Sequence, residues 1–107
     1  MPFYLIQASY TAPAVGAMIK NPQDRAAAVA PMMEEMGGKL HGLWFTFGEY
    51  DIVAIAETPD AVTAAAISMT IGSSGAMSAY RTTPLLTSAE ATDAMKKAAG
   101  VAYQAPK

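Results

Sequence analysis

The segment Ile52–Ala56 is apolar at every position, and this pattern limits the possible folds more than any other feature of the chain. Alternate residues of a β-strand point to opposite faces of its sheet, so a strand with one solvated face carries a polar residue at every second position. Here both faces of the strand are apolar. We therefore expect a sheet that is covered on both sides.

Turn and cap residues divide the rest of the chain into short elements. Asn21-Pro22-Gln23-Asp24 and Thr58-Pro59-Asp60 are typical helix starts, and Thr87 with Glu90 forms a capping box. Gly37-Gly38 and Gly72–Gly75 are typical helix ends. The predicted strands are Pro2–Tyr10, Lys39–Phe47, Asp51–Glu57 and Ala76–Leu86. The predicted helices are 21–36, Ala61–Ile71 and Ser88–Ala99, whereas Thr11–Lys20 is expected to be a loop with one helical turn.

Two prolines and one short connection add local predictions. Pro31 lies inside the first predicted helix, so a kink or a local break is expected there. Pro84 indicates a bulged or edge position near the end of the fourth strand. The connection Gly48-Glu49-Tyr50 is short enough to join the second and third strands as an antiparallel hairpin.

The order strand, helix, strand, strand, helix, strand, helix is typical of the ferredoxin-like split βαβ sandwich. We expect one α+β domain with its core at about residues 2–88, a C-terminal helix at about 88–99 and a tail at 100–107. Its four-stranded antiparallel sheet carries the helices on one face and leaves the other bare. A second copy that covers the bare face gives a dimeric α+β barrel, which would bury about 800 Å² per partner in an ordinary stable interface.

Charge and composition favour self-association and exclude several partners. Only 15% of the residues are charged, against about 25% in an ordinary soluble domain. Seven basic and nine acidic residues give a net charge of −2 without a basic cluster, which disfavours nucleic acid as a partner. With no cysteine and one histidine, no metal or cofactor is predicted. No targeting sequence or membrane-length apolar run is visible, so a cytoplasmic protein is expected.

The residues around the predicted hairpin resemble a known family. Phe45-Thr46-Phe47-Gly48-Glu49-Tyr50-Asp51-Ile52-Val53 is similar to the signature of the GYD domain family of small proteins, named for its Gly-Tyr-Asp element. The likeness extends over about residues 3–88 and includes both helix starts and both helix ends. It implies a fold similar to ferredoxin-like dimeric α/β-barrel proteins, and it implies no particular activity. Pro31 and the alanine-rich first helix depart from the charged helix that is usual in the family.

Five polar residues are candidate ligand contacts. Tyr4, His41, Tyr50 and Arg81 are expected at a pocket between the sheet and the first two helices, and Asp51 at its mouth as a base or cation ligand. The alternative for the motif is structural, with Gly48 adopting a positive φ and Asp51 accepting backbone amides of the bend. Strand alternation places His41 and Trp44 on opposite faces of the sheet unless a bulge shifts the register.

Three functions remain open from the sequence. The first is a homo-oligomeric small-molecule-binding module, in which any cofactor-free catalysis with His41 as base rests on fold analogy. The second is an assembly protein without a ligand. The third is a metal-dependent nuclease of the small CRISPR-associated type, which is disfavoured because Ser9-Tyr10-Thr11 supplies no carboxylate at the end of the first strand. Whether the protein is an enzyme stays open.

Overall fold

A computed structural model describes residues 1–107 as a four-stranded antiparallel sheet with four helices. The elements in chain order are β1 (Phe3–Tyr10), α1 (Ala12–Lys20), α2 (Arg25–Glu35), β2 (Lys39–Phe45), β3 (Ile52–Glu57), α3 (Ala61–Gly72), β4 (Met77–Leu85) and α4 (Ser88–Ala98). The strand order β2-β3-β1-β4 is that of a ferredoxin-like fold, as predicted. None of the helices combines the length and the apolar character needed to cross a bilayer.

The core lies between one face of the sheet and helices α2 and α3. The central strands β1 and β3 pair in the register Ile6 to Ala54, and every second residue of each strand is buried on this face. Met33 of α2 and Ile67 of α3 close over these strand residues and are 1% and 2% exposed. The opposite face, here called the open face, carries half-buried apolar side chains with no helix above them: Phe3, Leu5, Val53, Ile55 and Leu85.

The helix caps explain why α3 and α4 begin where the sequence predicts. Asp60 Oδ1 accepts a hydrogen bond from the Thr63 amide at 2.8 Å. At α4 the Thr87 hydroxyl accepts from the Glu90 amide, and the Glu90 carboxylate accepts from the Thr87 amide. Each bond satisfies a backbone donor that the first turn of a helix leaves free.

Helix α2 begins later than predicted and is unbroken. Asp24, not Asn21, is its cap, and Asp24 Oδ1 accepts from the Ala27 amide at 3.2 Å. The expected local break at Pro31 is absent, since the helix continues to Glu35. Both Pro31 and Ala27, whose carbonyl loses its helical partner, lie on the exposed side. Water can satisfy that carbonyl, so the helix tolerates the proline.

The segment after β1 forms a nine-residue helix instead of a loop with one turn. Thr11 caps α1 by accepting from the Ala14 amide at 3.4 Å, and Pro13 occupies the first turn, where it removes no helical hydrogen bond. Gly16 is in the middle of the helix with open space around it. Its low helix propensity favoured the loop interpretation, but the cap and the proline outweigh it.

A bulge at His41 reverses the alternation of β2. Leu40 pairs with Ala56 and Gly42 with Ile55, so His41 is an extra residue on this strand. Leu40 and Leu43 therefore both pack on the core. The predicted alternation does not hold beyond the bulge.

Helices α1 and α4 extend from opposite ends of the sheet. They begin next to the last and the first residues of β1, respectively, and neither contains a buried residue. The radius of gyration is 17.2 Å, against about 13 Å for a compact chain of this length. The protomer thus has two helices that contribute no buried residue to its core.

Candidate functional site

A cavity of about 260 Å³ lies between the core face of the sheet and helices α2 and α3. Seventeen residues line it and fourteen of them are hydrophobic. They are Ile6, Ala8, Tyr10, Arg25, Ala28, Val29, Met32, Met33, Leu43, Ile52, Ala54, Thr70, Ile71, Ser74, Ala76, Met77 and Tyr80.

Small and flexible side chains create this cavity. Ala8 and Ala54 form its floor on the central strands, and Ala28 faces it from α2. Side chains normally fill the interior of a protein as densely as molecules fill a crystal. Alanine side chains at facing positions are too short to do so, and they leave empty space between the sheet and α2. Met32 and Met33 border the space with unbranched thioether chains that adapt to different shapes. The cavity therefore suits an apolar molecule.

Arg25 is the only charged residue that lines the cavity. It is the first residue of α2, and its Nη1 donates to Gln23 Oε1 at 2.6 Å. It forms no ion pair; the only contact of the chain between a basic and an acidic side chain joins His41 and Glu57. The positive charge of Arg25 is therefore not neutralised by a carboxylate.

Tyr10 brings a hydroxyl to the same end of the cavity. Burial raises the pKa of Tyr10, while the Arg25 guanidinium beside the hydroxyl opposes part of that rise. The Tyr10 ring stacks on Phe45 with centroids 6.1 Å apart, a contact that stabilises this position of the side chain. Tyr10 and Arg25 thus form a polar end to an otherwise apolar space.

Tyr80 contributes a buried hydroxyl that has no hydrogen-bond partner. Burial raises the pKa of Tyr80, and the nearby hydroxyls of Ser68 and Thr82 oppose that rise. Those two hydroxyls are bonded to each other at 2.9 Å, and Ser68 also donates to the Ala64 carbonyl. Neither has full hydrogen-bond geometry to Tyr80, whose hydroxyl proton remains unused.

The Gly-Tyr-Asp element ties the β2–β3 connection to the end of β1. Asp51 Oδ2 accepts from the Tyr10 amide at 3.0 Å, and the Asp51 amide donates to the Ala8 carbonyl at 3.0 Å. The Tyr50 carbonyl accepts a hydrogen bond from the Thr46 hydroxyl. Asp51 therefore holds a neighbouring strand, and the expectation that it accepts backbone amides of its own bend is wrong.

Gly48 also differs from expectation. Only Gly37 and Gly75 have positive φ, at 84° and 79°. Gly48 does not, and no atom lies within 4 Å of the position that a Cβ would take there. The prediction of a positive φ at Gly48 is therefore wrong. Neither the backbone conformation nor the surrounding space requires glycine at this position.

The five predicted ligand contacts lie outside the cavity lining, and their role in binding remains a prediction. Tyr4 is buried beside a second space of about 10 Å³, which is the size of one water molecule. Tyr50 and Asp51 are in the β2–β3 connection next to Tyr10. Arg81 is exposed, opposite Gln7 on the open face, and makes no ion pair.

His41 is on the open face as well. Its Nε2 is 2.8 Å from Glu57 Oε1, and its ring stacks on Phe3 with centroids 5.0 Å apart. Trp44 pairs with Val53 and shares this face. The bulge thus brings together two side chains that simple alternation separates, and it places the histidine on the side of the sheet away from the cavity.

Sequence reasoning missed Tyr10, Arg25 and Tyr80. Tyr10 follows Tyr4, Ile6 and Ala8 at two-residue spacing, so its face could have been read from the sequence. The two other residues are brought to the cavity by the packing of α2 and by the register of β4 on β1. No group of three or more His, Asp or Glu side chains is placed to hold a metal ion.

The comparison with known families agrees with the architecture. The family model of the GYD domain matches residues 4–95, from the start of β1 into α4. No curated protein and no solved structure matches the chain. The match covers most of the sequence and includes the hairpin element that Asp51 fastens to β1. This chain therefore belongs to the GYD domain family.

Proposed function

We propose that this protein is a homo-oligomeric module that binds a small molecule in the cavity between the sheet and helices α2 and α3. The observation that carries this proposal is the space of about 260 Å³ with a mostly apolar lining and a few polar groups at its edge. Ligand sites have this character, although most are somewhat larger, at about 300–1,000 Å³. Only nine hydrophobic residues of the chain are buried, and a core this small is expected to be closely packed, so an occupant would explain the space.

A second copy of the chain is the proposed cover for the open face. Trp44 on this face is 55% exposed, and Val53 and Ile55 lie beside it on β3. The face also carries both signs of charge, with Lys39 and Arg81 on the edge strands and Glu57 between them. An apolar centre with opposite charges around it suits packing of the face against its own copy.

A cavity-filling substitution tests the binding site. Ala28 lines the cavity from α2, whereas its neighbour Ala27 does not. With 1-octanol as probe, we expect Ala28→Leu to weaken binding at least fivefold and Ala27→Leu to leave it unchanged, as measured by chemical-shift titration. Absence of octanol-induced shifts in cavity residues, or equal effects of both variants, would contradict the proposal.

Sedimentation tests the oligomer. Ile55 lies at the centre of the open face, and Met69 is exposed on α3 at the other side of the molecule. Ile55→Lys is expected to convert the oligomer to a folded monomer, and the matched variant Met69→Lys to leave it intact. A wild-type protein that sediments as a single 11.1 kDa species at low micromolar concentration would overturn this part.

The ligand-free assembly protein remains the second candidate because of the projecting helices. Ile19 of α1 and Met95 of α4 are 73% and 68% exposed, and neither helix packs into the core of its own protomer. This candidate would be favoured if removal of residues 88–107 dissociates the oligomer and the protein does not bind 1-octanol. The nuclease alternative has no comparable support, since Asp51 is a single carboxylate engaged by the Tyr10 amide.

A further inference from the structure

We infer that the cavity selects a small apolar acid, whose hydrocarbon part fills the space and whose carboxylate binds Arg25. This inference rests on the proposed function and specifies the ligand class of the same site. The observation that carries it is the guanidinium of Arg25, which has no carboxylate partner and lies at the edge of an apolar cavity.

The charges around Arg25 leave its guanidinium available. A guanidinium has five N–H donors, and Gln23 takes one at 2.6 Å. Asp24, its neighbour in the sequence, accepts from the Ala27 amide. Asp51, whose charge also acts on Tyr10, accepts from the Tyr10 amide, and neither carboxylate forms an ion pair with Arg25. A carboxylate on the ligand would supply the missing partner, in the paired geometry that a guanidinium favours.

The lining excludes most other ligand classes. Sugars and nucleotides need many hydrogen-bond partners, but apart from tyrosine hydroxyls only Arg25, Thr70 and Ser74 are polar here. An organic cation would be repelled by the positive charge of Arg25. The volume of about 260 Å³ exceeds the roughly 150 Å³ of an engineered cavity that holds benzene, so it accommodates one ring with a short chain or an alkyl chain of similar size.

A matched pair of probes tests the ligand class. Octanoate and 1-octanol have the same alkyl chain and differ in the charged head group. At neutral pH we expect octanoate to bind the wild-type protein about tenfold more tightly than octanol, since a hydrogen bond to a charged group is worth at least that factor. Isothermal titration and chemical-shift mapping measure both affinities on the full chain.

The two arginines of the chain provide the variant and its control. Arg25→Gln is expected to remove the preference for octanoate while leaving octanol binding unchanged. Arg81→Gln removes the same charge from the open face and is expected to retain the preference. Both positions are at least partly exposed, and thermal unfolding of each variant verifies that the fold is retained.

The outcomes separate this inference from the proposed function. Equal wild-type affinities for the two probes overturn the acid preference and leave the binding module standing. Loss of the preference in Arg81→Gln but not in Arg25→Gln assigns the acid to the open face and also overturns the inference. If neither probe binds, the inference and the proposed function fail together.

Discussion

The indole of Trp44 lies over Gly42 on the open face of the sheet. A Cβ at Gly42 would be 2.8 Å from Cζ2 and 3.0 Å from Cζ3 of that ring. The two residues share a face because Gly42 pairs with Ile55 and Trp44 with Val53. Gly42 thus provides the space that lets a large aromatic ring lie flat against an edge strand.

Replacement of Gly42 by alanine should displace this ring. Because the indole is 55% exposed it can move outward, so we expect a cost of about 1 kcal/mol in the free energy of unfolding, at the low end for overpacking. Trp44 is the only tryptophan, so its emission maximum reports the displacement directly. An unchanged emission spectrum in Gly42→Ala would show that the ring does not rest on the glycine.

The same pair shows where sequence patterns reach their limit. Caps such as Asp60 and Thr87 act within one helical turn, so the starts of α3 and α4 are readable from the sequence. The bulge at His41 is different because pairing with a neighbouring strand defines it. One extra residue reverses every later side chain of β2, which no propensity of Lys39–Phe45 indicates.

The polar groups of the cavity could not be predicted, for a related reason. Its existence between sheet and helices was expected, but its polar groups were not. Arg25 lines it because α2 starts at that residue after the Asp24 cap, later than the Asn21-Pro22 signal suggests. Tyr80 lines it through the pairing of β4 with Ala8. Both depend on long-range packing, which neither the chemistry nor the local spacing of residues in the sequence reveals.

Asp51 is predicted to be a structural anchor. Alanine at this position removes the acceptor of the Tyr10 amide and should cost about 2 kcal/mol, typical of a hydrogen bond to a charged group. Asp51→Asn keeps one side-chain oxygen and should lose less than half of that amount. Urea unfolding measures both values. Equal losses would mean that the negative charge, not the acceptor, holds the end of β1.

The glycines of two turns should differ in their sensitivity to replacement by alanine. Gly75 has φ of 79°, a conformation that costs a residue with a side chain about 1 kcal/mol or more. Gly48 has negative or extended φ and open space around it, so Gly48→Ala should change the free energy of unfolding by less than about 0.5 kcal/mol. Thermal unfolding of the two variants under one set of conditions makes the comparison. A large loss at Gly48 would point to a contact outside the protomer.

Tyr80→Phe should stabilise the ligand-free protein by about 1 kcal/mol, because it removes a buried hydroxyl without a partner and keeps the ring. Burial raises the pKa of Tyr80 above its ordinary value of 10.0. The folded state therefore favours the neutral phenol, and this contribution is complete below pH 10 and is lost as the pH rises through the folded pKa. The advantage of the Tyr80→Phe variant in chemical denaturation should grow above pH 10. A variant less stable than wild type at neutral pH would reveal a partner for the hydroxyl.

Asp60 should make the stability of α3 depend on pH in the acid range. Hydrogen bonds from Thr63 hold the pKa of Asp60 below its ordinary value of 3.8. For a carboxyl with a lowered folded pKa, the stabilisation is present above the unfolded value and disappears as the pH falls through the folded one. Asp60→Asn keeps the cap without the charge, so wild type and variant should differ most near neutral pH and converge as the pH falls through the folded pKa of Asp60.

Glu90 provides the control for Asp60, because hydrogen bonds from Thr87 lower its pKa in the same way. Helix α3 packs into the core through Ile67, which is 2% exposed, whereas α4 contains no buried residue. Global unfolding of the isolated protomer, followed by Trp44 fluorescence in the Ile55→Lys background, should therefore sense Asp60→Asn and not Glu90→Gln. A pH-dependent effect of Glu90→Gln on that transition would mean that α4 is docked on the core of its own protomer. Helix α4 would then not be free to pack against a second copy.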